Sequence, residues 1–520
     1  MRITTKVIQN NTLSNINTNK IMQDNLSNQM STQKKINRPS DDPVIAIRAL
    51  RLRTNVSQVT QYYEKNVPDA KSWMQVTEDA LTSVSEVLTD MIVQCQKGSS
   101  EKLTSSDRQT ILDEITALKD EVYATGNSDY AGRCVFTGYR TDTTLKYTKA
   151  ETRTYSITEQ LDSTNVDDIK YVDTAGLKDI TDISFKTTPA SGIEEADIKE
   201  YNVHRIRLAY NNLDDEATTV APTITSVDGT VNVTATIVSE NDIPSPYIDI
   251  TDPANSDKCF MIKETGEILL GDDLYSQIMD LKDNVLTSNK NEGEIRVTYE
   301  KSDWLKDDLK PEHYFACTDK SDADPANWIE YNPAYLTDVT REKQAIEYDV
   351  GLNQSIRVNT TADEVFTHSI GRDVEDLIRT MQEEADMEDK LDQLNKLAEQ
   401  YASDPVNSVT LRNQIEAANK ALTYLKEKRE NLFESSITKM QKHLDDVNYA
   451  TTSCGTREKK LEMIENRLMS QQTSFETLQS DNENVDLTDV AIQLSGAELT
   501  YNAALMATSK ILQTTLVSYL

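Results

Sequence analysis

The chain has 520 residues, enough for two or three domains, and a formal charge of −33 at 37% apolar content. So acidic a surface argues against nucleic acid and anionic membrane as partners, because counterion release would work against binding. The charge is uneven: residues 1–60 carry nine Lys or Arg against three Asp or Glu, a sum of +6, leaving −39 for the rest, so the basic segment is either a solvated face or the partner of an acidic helix on a neighbouring subunit.

In chain order, the first forty residues include twenty-one Asn, Gln, Ser or Thr, with Ile3, Val7, Leu13, Ile16, Leu26, Met30 and Ile36 set among them. A segment that buries so little is expected to become helical only against a partner. Next come Asn37, Arg38, Pro39, Ser40, Asp41, Asp42 and Pro43, where Asp42 is expected to cap a helix that has Pro43 in its first turn. Adjacent carboxylates are also the nearest thing to a catalytic pair in the chain, but the cap explains them sufficiently.

From Ile45 to Met91 the positions Ile45, Ala49, Leu52, Val56, Val59, Tyr63, Asn66, Ala70, Trp73, Thr77, Ala80, Val84, Val87 and Met91 alternate steps of four and three. That is a heptad seam, polar only at Asn66 and Thr77, and it predicts a long helix kinked at Pro68. A second helix, entered through Thr104 and left at Gly126, repeats the spacing at Ile111, Ile115, Leu118 and Val122. The interior then changes character. Eight of the twelve prolines lie between Pro189 and Pro333, and the alternating runs 203–208, 231–238 and 295–299 read as strands.

The heptad returns with Met387, Leu391, Leu394, Ala398 and Tyr401, and after Pro405 with Leu411, Ile415, Ala418, Leu422 and Leu425. An eight-residue step to Phe433 marks a stutter, after which Ile437, Met440, Leu444 and Val447 continue, and Leu461, Ile464 and Leu468 follow Gly455. The closing helix from Val485 is apolar, with Leu487, Leu494, Tyr501, Leu505, Ile511, Leu512, Leu516, Tyr519 and Leu520. With the N-terminal residues Ile3, Val7, Leu13, Ile16, Leu26 and Met30, these form the expected assembly interface. The fold expected is mainly α with an inserted β-rich domain, a long coiled-coil helical rod built from both chain termini. Its parts are terminal helices at 1–42 and 485–520, a rod at 43–140 and 346–484, and an outer β-rich insert at 141–345.

Residues for chemistry are missing. The four histidines are scattered, with no HExxH, and there is no Walker loop, GxGxxG or GxSxG, so no catalytic residue, cofactor or metal is expected and the protein reads as no enzyme. Cys95, Cys134, Cys259, Cys317 and Cys454 are far apart and odd in number, which indicates neither zinc nor a disulfide framework. Trp304, Trp328, Tyr314, Phe315, Tyr331 and Tyr335 are expected to fill the core of the insert rather than form a ligand platform. No stretch reaches the apolar length of a membrane helix, and the start of the chain lacks the core of a cleaved secretion signal.

The run Lys35-Ile36-Asn37-Arg38-Pro39-Ser40-Asp41-Asp42-Pro43, followed by Ala46, Ala49, Leu50 and Arg51, resembles the N-terminal signature of the bacterial flagellin superfamily. Further likenesses are Asn66 with the 73–81 stretch, Asn127 before Tyr130, Val135-Phe136-Thr137-Gly138, and the closing segment from Asp486. The Asn-Arg-Pro-Ser-Asp-Asp-Pro form is similar to members placed where hook meets filament. The resemblance implies a structural adapter of the extracellular flagellum, the alternative being a flagellin that forms the filament itself. It also implies export by the flagellar type III route without a cleaved signal. The partners implied are further copies, the hook-side junction protein and flagellin, with an export chaperone on the C-terminal helix.

Overall fold

The computed structural model describes residues 5–100, 102–187, 192–214, 221–281, 293–337 and 344–517. Four helices open the chain: α1 (Thr5–Thr32), α2 (Pro43–Gln61), α3 (Val67–Gly98) and α4 (Ser105–Thr125). The interior holds β1 (Asp129–Tyr130), β2 (Arg133–Cys134), β3 (Glu151–Leu161), β4 (Val166–Asp173), α5 (Asp182–Thr187), β5 (Lys199–Arg207), β6 (Thr223–Ser226), β7 (Asn232–Thr234) and β8 (Thr236–Val238). It continues with α6 (Pro246–Asp249), β9 (Cys259–Ile262), β10 (Glu267–Leu270), α7 (Asp272–Asp280), β11 (Ile295–Trp304), β12 (Ala316–Asp319), β13 (Ile329–Tyr331), β14 (Glu347–Gly351) and β15 (Gln354–Arg357). Helices close the chain: α8 (Ala362–Val365), α9 (His368–Gln400), α10 (Pro405–Glu483) and α11 (Leu487–Val517). The residues divide into two compact units, Met1–Lys71 with Tyr348–Ile356 and Glu458–Leu520, and Ser72–Glu347 with Arg357–Arg457.

In the first unit α2 starts where its chemistry dictates. The Asp42 carboxylate accepts from the amides of Val44 and Ile45 at 2.9 and 3.2 Å, and Pro43, which has no amide to satisfy, takes the first helical position. Ahead of Pro68 the helix becomes a π-turn over Tyr62–Asn66, and the Val67 amide reaches the Tyr62 carbonyl five residues back. The expected disturbance is therefore a widened turn just before the proline, which accommodates a residue that lacks a donor. Asn66, the polar break in the seam, donates to the Asp349 carbonyl at 2.7 Å, and Tyr348 donates to Asp69 at 2.5 Å.

In the second unit the seam of α3 is buried at Trp73, Thr77, Ala80, Val84 and Met91, with Met74, Leu81, Leu88 and Cys95 buried beside it. Thr104 and Asp107 form a capping box at the start of α4. The stutter in α10 has an occupant. Arg429, between Leu425 and Phe433, is 1% exposed; it donates to the carbonyls of Gly98 (2.5 Å) and Ser100 (3.1 Å) at the end of α3 and pairs with Glu384 of α9 at 2.7 Å. Arg108 of α4 holds the other Glu384 oxygen at 3.2 Å and also pairs with Glu388. Gly98, the first glycine of the chain, lies against the Phe433 ring, which leaves no room for a Cβ.

Two sheets share one core. The first is antiparallel, in the order β13-β12-β3-β11-β6-β7; the second runs β4-β5-β10-β9-β8, with β8 and β9 parallel. Tyr155, Ile157, Val297, Tyr299 and Trp304 meet Ile206, Cys259, Met261, Ile268 and Leu270 between them. The predicted run 231–238 is two strands rather than one. β7 pairs with β6 in the first sheet, β8 with β9 in the second, and buried Ala235 stands between them. The aromatic expectation holds for Trp304 and Tyr314, which are buried, but Trp328 is 39% exposed, its indole donating to the Asp322 carbonyl beneath the Lys320 ammonium. The segment 172–198 packs Val172, Leu177, Ile180, Phe185 and Ile198 against Met387, Leu394, Leu411 and Leu425 of α9 and α10.

Candidate assembly surface at the paired chain ends

Within the first unit, α1 and α11 lie against one another. The less exposed positions of α1 are Thr12, Ile16, Asn19, Gln23, Leu26 and Gln29; those of α11 are Val490, Ala491, Leu494, Ala497, Tyr501, Ala504 and Thr508, and apart from Gln29 and Ala491 both sets keep heptad spacing. Leu26, Val490 and Ala497 form the buried centre of the contact, with Val485 and Leu494 packed on it. The N-terminal segment is thus helical against its own chain's last helix.

A short antiparallel bridge joins the inner ends of these helices. The Lys35 amide donates to the Glu483 carbonyl at 2.8 Å, and the Val485 amide to the Gln33 carbonyl at 3.2 Å. The Glu483 side chain, only 5% exposed, accepts both arms of Arg53 at 2.7 and 2.8 Å and the Lys34 ammonium at 3.3 Å. Those hydrogen bonds, Arg53 foremost, hold its carboxyl below the usual range. Asn482 donates to the Ile45 carbonyl, and the Asp486 side chain then caps α11 through the Thr488 amide at 2.8 Å. Part of the basic N-terminal charge is therefore matched by a carboxylate of the same chain, while Arg38, Arg48 and Arg51 form no ion pair among the described residues.

The predicted interface residues fall into four groups. Ile16, Leu26, Leu494 and Tyr501 belong to the covered seam, whereas Val7, Leu13, Met30, Leu487 and Leu505 are exposed. Ile511, Leu512 and Leu516 lie in the last turns of α11, and Ile3, Tyr519 and Leu520 lie outside the described residues. In the signature, Asp41 accepts from the amides of Asn37 and Arg38 at 3.2 and 2.9 Å, so it closes the turn that presents Asp42.

α11 carries a second seam that sequence reasoning passed over. Ile492, Gly496, Leu499, Ala503 and Met506 repeat the same four-and-three spacing two residues further on, roughly 200° around the helix from the covered one. All five are exposed, Ile492, Leu499 and Met506 at 67%, 73% and 71%. On α2, Val44, Ile47 and Leu50 make a further exposed apolar strip. The signal for the second seam was present in the uniform apolarity of α11, which is wider than one partner helix requires. The clamp by Lys34, Arg53 and Glu483 had no such signal, since its members are hundreds of residues apart.

Among the described residues no three metal-ligating side chains cluster, and no helix is long and apolar enough to cross a membrane. The family model of the bacterial flagellin N-terminal helical region matches residues 3–141. Flagellar hook-associated protein 3 of Salmonella typhimurium is 28% identical over 143 residues, 27% of this chain and 45% of that protein. The flagellin of Bacillus subtilis is 30% identical over 149 residues, 28% of this chain and 48% of its own length. The chain thus spans about half the length of the curated relatives it matches. Among solved structures, flagellar hook-associated protein 3 from Legionella pneumophila aligns over 83% of this chain and 97% of its own, at 10% identity and a TM-score of 0.31.

Proposed function

We propose that this chain is a structural component of the bacterial flagellum, an adapter at the hook–filament junction that assembles through its paired terminal helices, a reading supported by the match of residues 3–141 to the flagellin N-terminal helical region. The observation that carries the reading is the bare second seam of α11, opposite the one that α1 covers. A helix with two apolar faces and one partner leaves surface that further copies or neighbouring axial proteins can bury. At ~25 cal/mol per Å2, burying ~1,000 Å2 of such surface would supply ~25 kcal/mol before ordering costs. The finer arrangement proposed is a coiled-coil rod from both termini, with 141–345 as its outer domain. Its neighbours would be the hook-side junction protein and flagellin, outside the cell, and an export chaperone would take α11 beforehand. No reaction is assigned.

Filament flagellin is the second reading, favoured by the 30% identity to the Bacillus subtilis flagellin over 149 residues. Immunogold labelling of intact flagella with an antibody against 141–345 separates the two. One label where hook meets filament supports the adapter; label along the filament makes the chain a flagellin. Leu499→Lys, on the bare seam, should leave a folded protein that does not join flagella, and normal incorporation of this variant would sink both readings.

A further inference from the structure

Two helices of the first unit each leave an apolar strip bare, and their charges are opposite. On α2, Val44, Ile47 and Leu50 are 59%, 53% and 61% exposed, and with Arg51 they share the side turned away from buried Ala49 and Val59, Arg48 standing at its edge. α2 has three arginines and no acid; Arg53 is taken by Glu483, while Arg48 and Arg51 form no ion pair among the described residues. α11 is the reverse. Its only charges before Lys510 are Asp489 and Glu498, both exposed and without an ion pair among the described residues.

The two strips also fit in shape. Along the bare seam Gly496 and Ala503 alternate with Ile492, Leu499 and Met506, and a Cβ placed on Gly496 would meet nothing within 4 Å outside its own stretch of helix, so the seam has open notches between its large side chains. Branched Val44 and Ile47, one turn apart on α2, are knobs of the size such notches accept. Neither strip is its own complement. Pairing α2 with α2 would set arginines against arginines, and pairing α11 with α11 would leave the α2 strips uncovered. A contact between unlike faces leaves each copy with one face still to fill, which builds rings or helical rows rather than closed dimers.

We infer that the α2 strip of one copy seats on the bare α11 seam of the next, with Arg48 and Arg51 facing Asp489 and Glu498; this rests on the adapter reading and gives the bare seam its partner.

Disulfide trapping in flagella sheared from cells that produce the full chain tests it, with Ile47→Cys and Leu499→Cys in one chain and each alone, oxidised by copper phenanthroline. The double variant should give a ladder of dimers, trimers and higher multimers on a non-reducing gel, and each single variant monomers only. In a second arm, Arg48→Glu with Arg51→Glu should lower the amount of chain in flagella about tenfold or more, and adding Asp489→Lys with Glu498→Lys should restore it, since the signs are then exchanged on both faces; unchanged far-UV circular dichroism shows that each variant folds. Dimers from Leu499→Cys alone, monomers only from the double variant while it is present in flagella, or no recovery in the fourfold variant would overturn the contact. Absence of the wild-type chain from flagella would instead remove the adapter reading, and the contact with it.

Discussion

Arg53→Ala should loosen the joint between the chain ends more than Glu483→Gln does. The carboxylate is buried at 5% side-chain exposure, whereas Arg53 and Lys34 are 57% and 42% exposed. Removing Arg53 deletes two charge-assisted hydrogen bonds and leaves a desolvated anion with two longer contacts, to the Lys34 ammonium and the Gln479 amide, both at 3.3 Å, a loss of about 2 kcal/mol. Glu483→Gln instead frees two cations that water already reaches, and its amide oxygen still accepts one bond, so about 1 kcal/mol is expected. The readout is hydrogen exchange at the Lys35 and Val485 amides, whose acceptors are the Glu483 and Gln33 carbonyls. Arg53→Ala should speed their exchange by about thirtyfold and Glu483→Gln by about fivefold, converting each energy at 1.4 kcal/mol per decade. Adding Glu483→Gln to Arg53→Ala should restore part of the protection, since it removes the stranded charge. Equal acceleration by the two single changes, or no recovery in the double variant, would refute the assignment of the cost to burial of the carboxylate.

Further outcomes follow from the same geometry. Glu384→Gln leaves the nearly fully buried Arg108 and Arg429 with Glu388 and Glu430 as their remaining carboxylates, and should cost about 2–3 kcal/mol in a urea melt of the second unit; a loss under 1 kcal/mol would mean that those carboxylates and the backbone carbonyls suffice for both. Burial, with Lys310 beside it, lowers the His313 imidazole to about 4, so the folded state keeps it neutral while the unfolded chain protonates near 6.5. The stability it contributes is complete above pH 6.5 and declines as pH falls towards 4, by about 2.5 kcal/mol at pH 4.5, and a urea midpoint flat across that window would contradict it. Asp42→Ala should cost about 1 kcal/mol at the start of α2, seen as faster exchange of the Val44 and Ile45 amides with α3 unaffected.

Much of the helical part was readable because its signals are local. A cap such as Asp42 or Thr104 acts on amides two and three residues away, and a seam repeats within every seven. The sheets were less legible. β3, the longest strand, places Glu159 on its inward face between Ile157 and Leu161, so the apolar alternation fails where a buried carboxylate replaces an aliphatic. The run 231–238 has an unbroken two-residue period, yet Ala235 passes the chain from one sheet to another with neither Gly nor Pro to mark the change. Trp328 shows the opposite error: a large apolar ring reads as core, but the indole N–H and the face of the ring both find polar partners at the surface. Of the candidate surface, the apolar residues were visible in the sequence and their division into covered and bare faces was not. That division depends on where α1 lies.

The eight-residue step in α10 bears on alignment as well as burial. A seam of aliphatics on a long helix is nearly indifferent to sliding by seven residues, because Leu, Ile and Val replace one another at each repeat. Arg429 is not interchangeable with its neighbours: on other elements its guanidinium finds the Glu384 carboxylate and the Gly98 and Ser100 carbonyls at a single depth of the bundle, and a shift of either sign carries it away from all three. The residue that makes the repeat imperfect therefore acts as a vernier mark, singling out one setting of α10 against α3, α4 and α9 from several that hydrophobicity alone would leave degenerate.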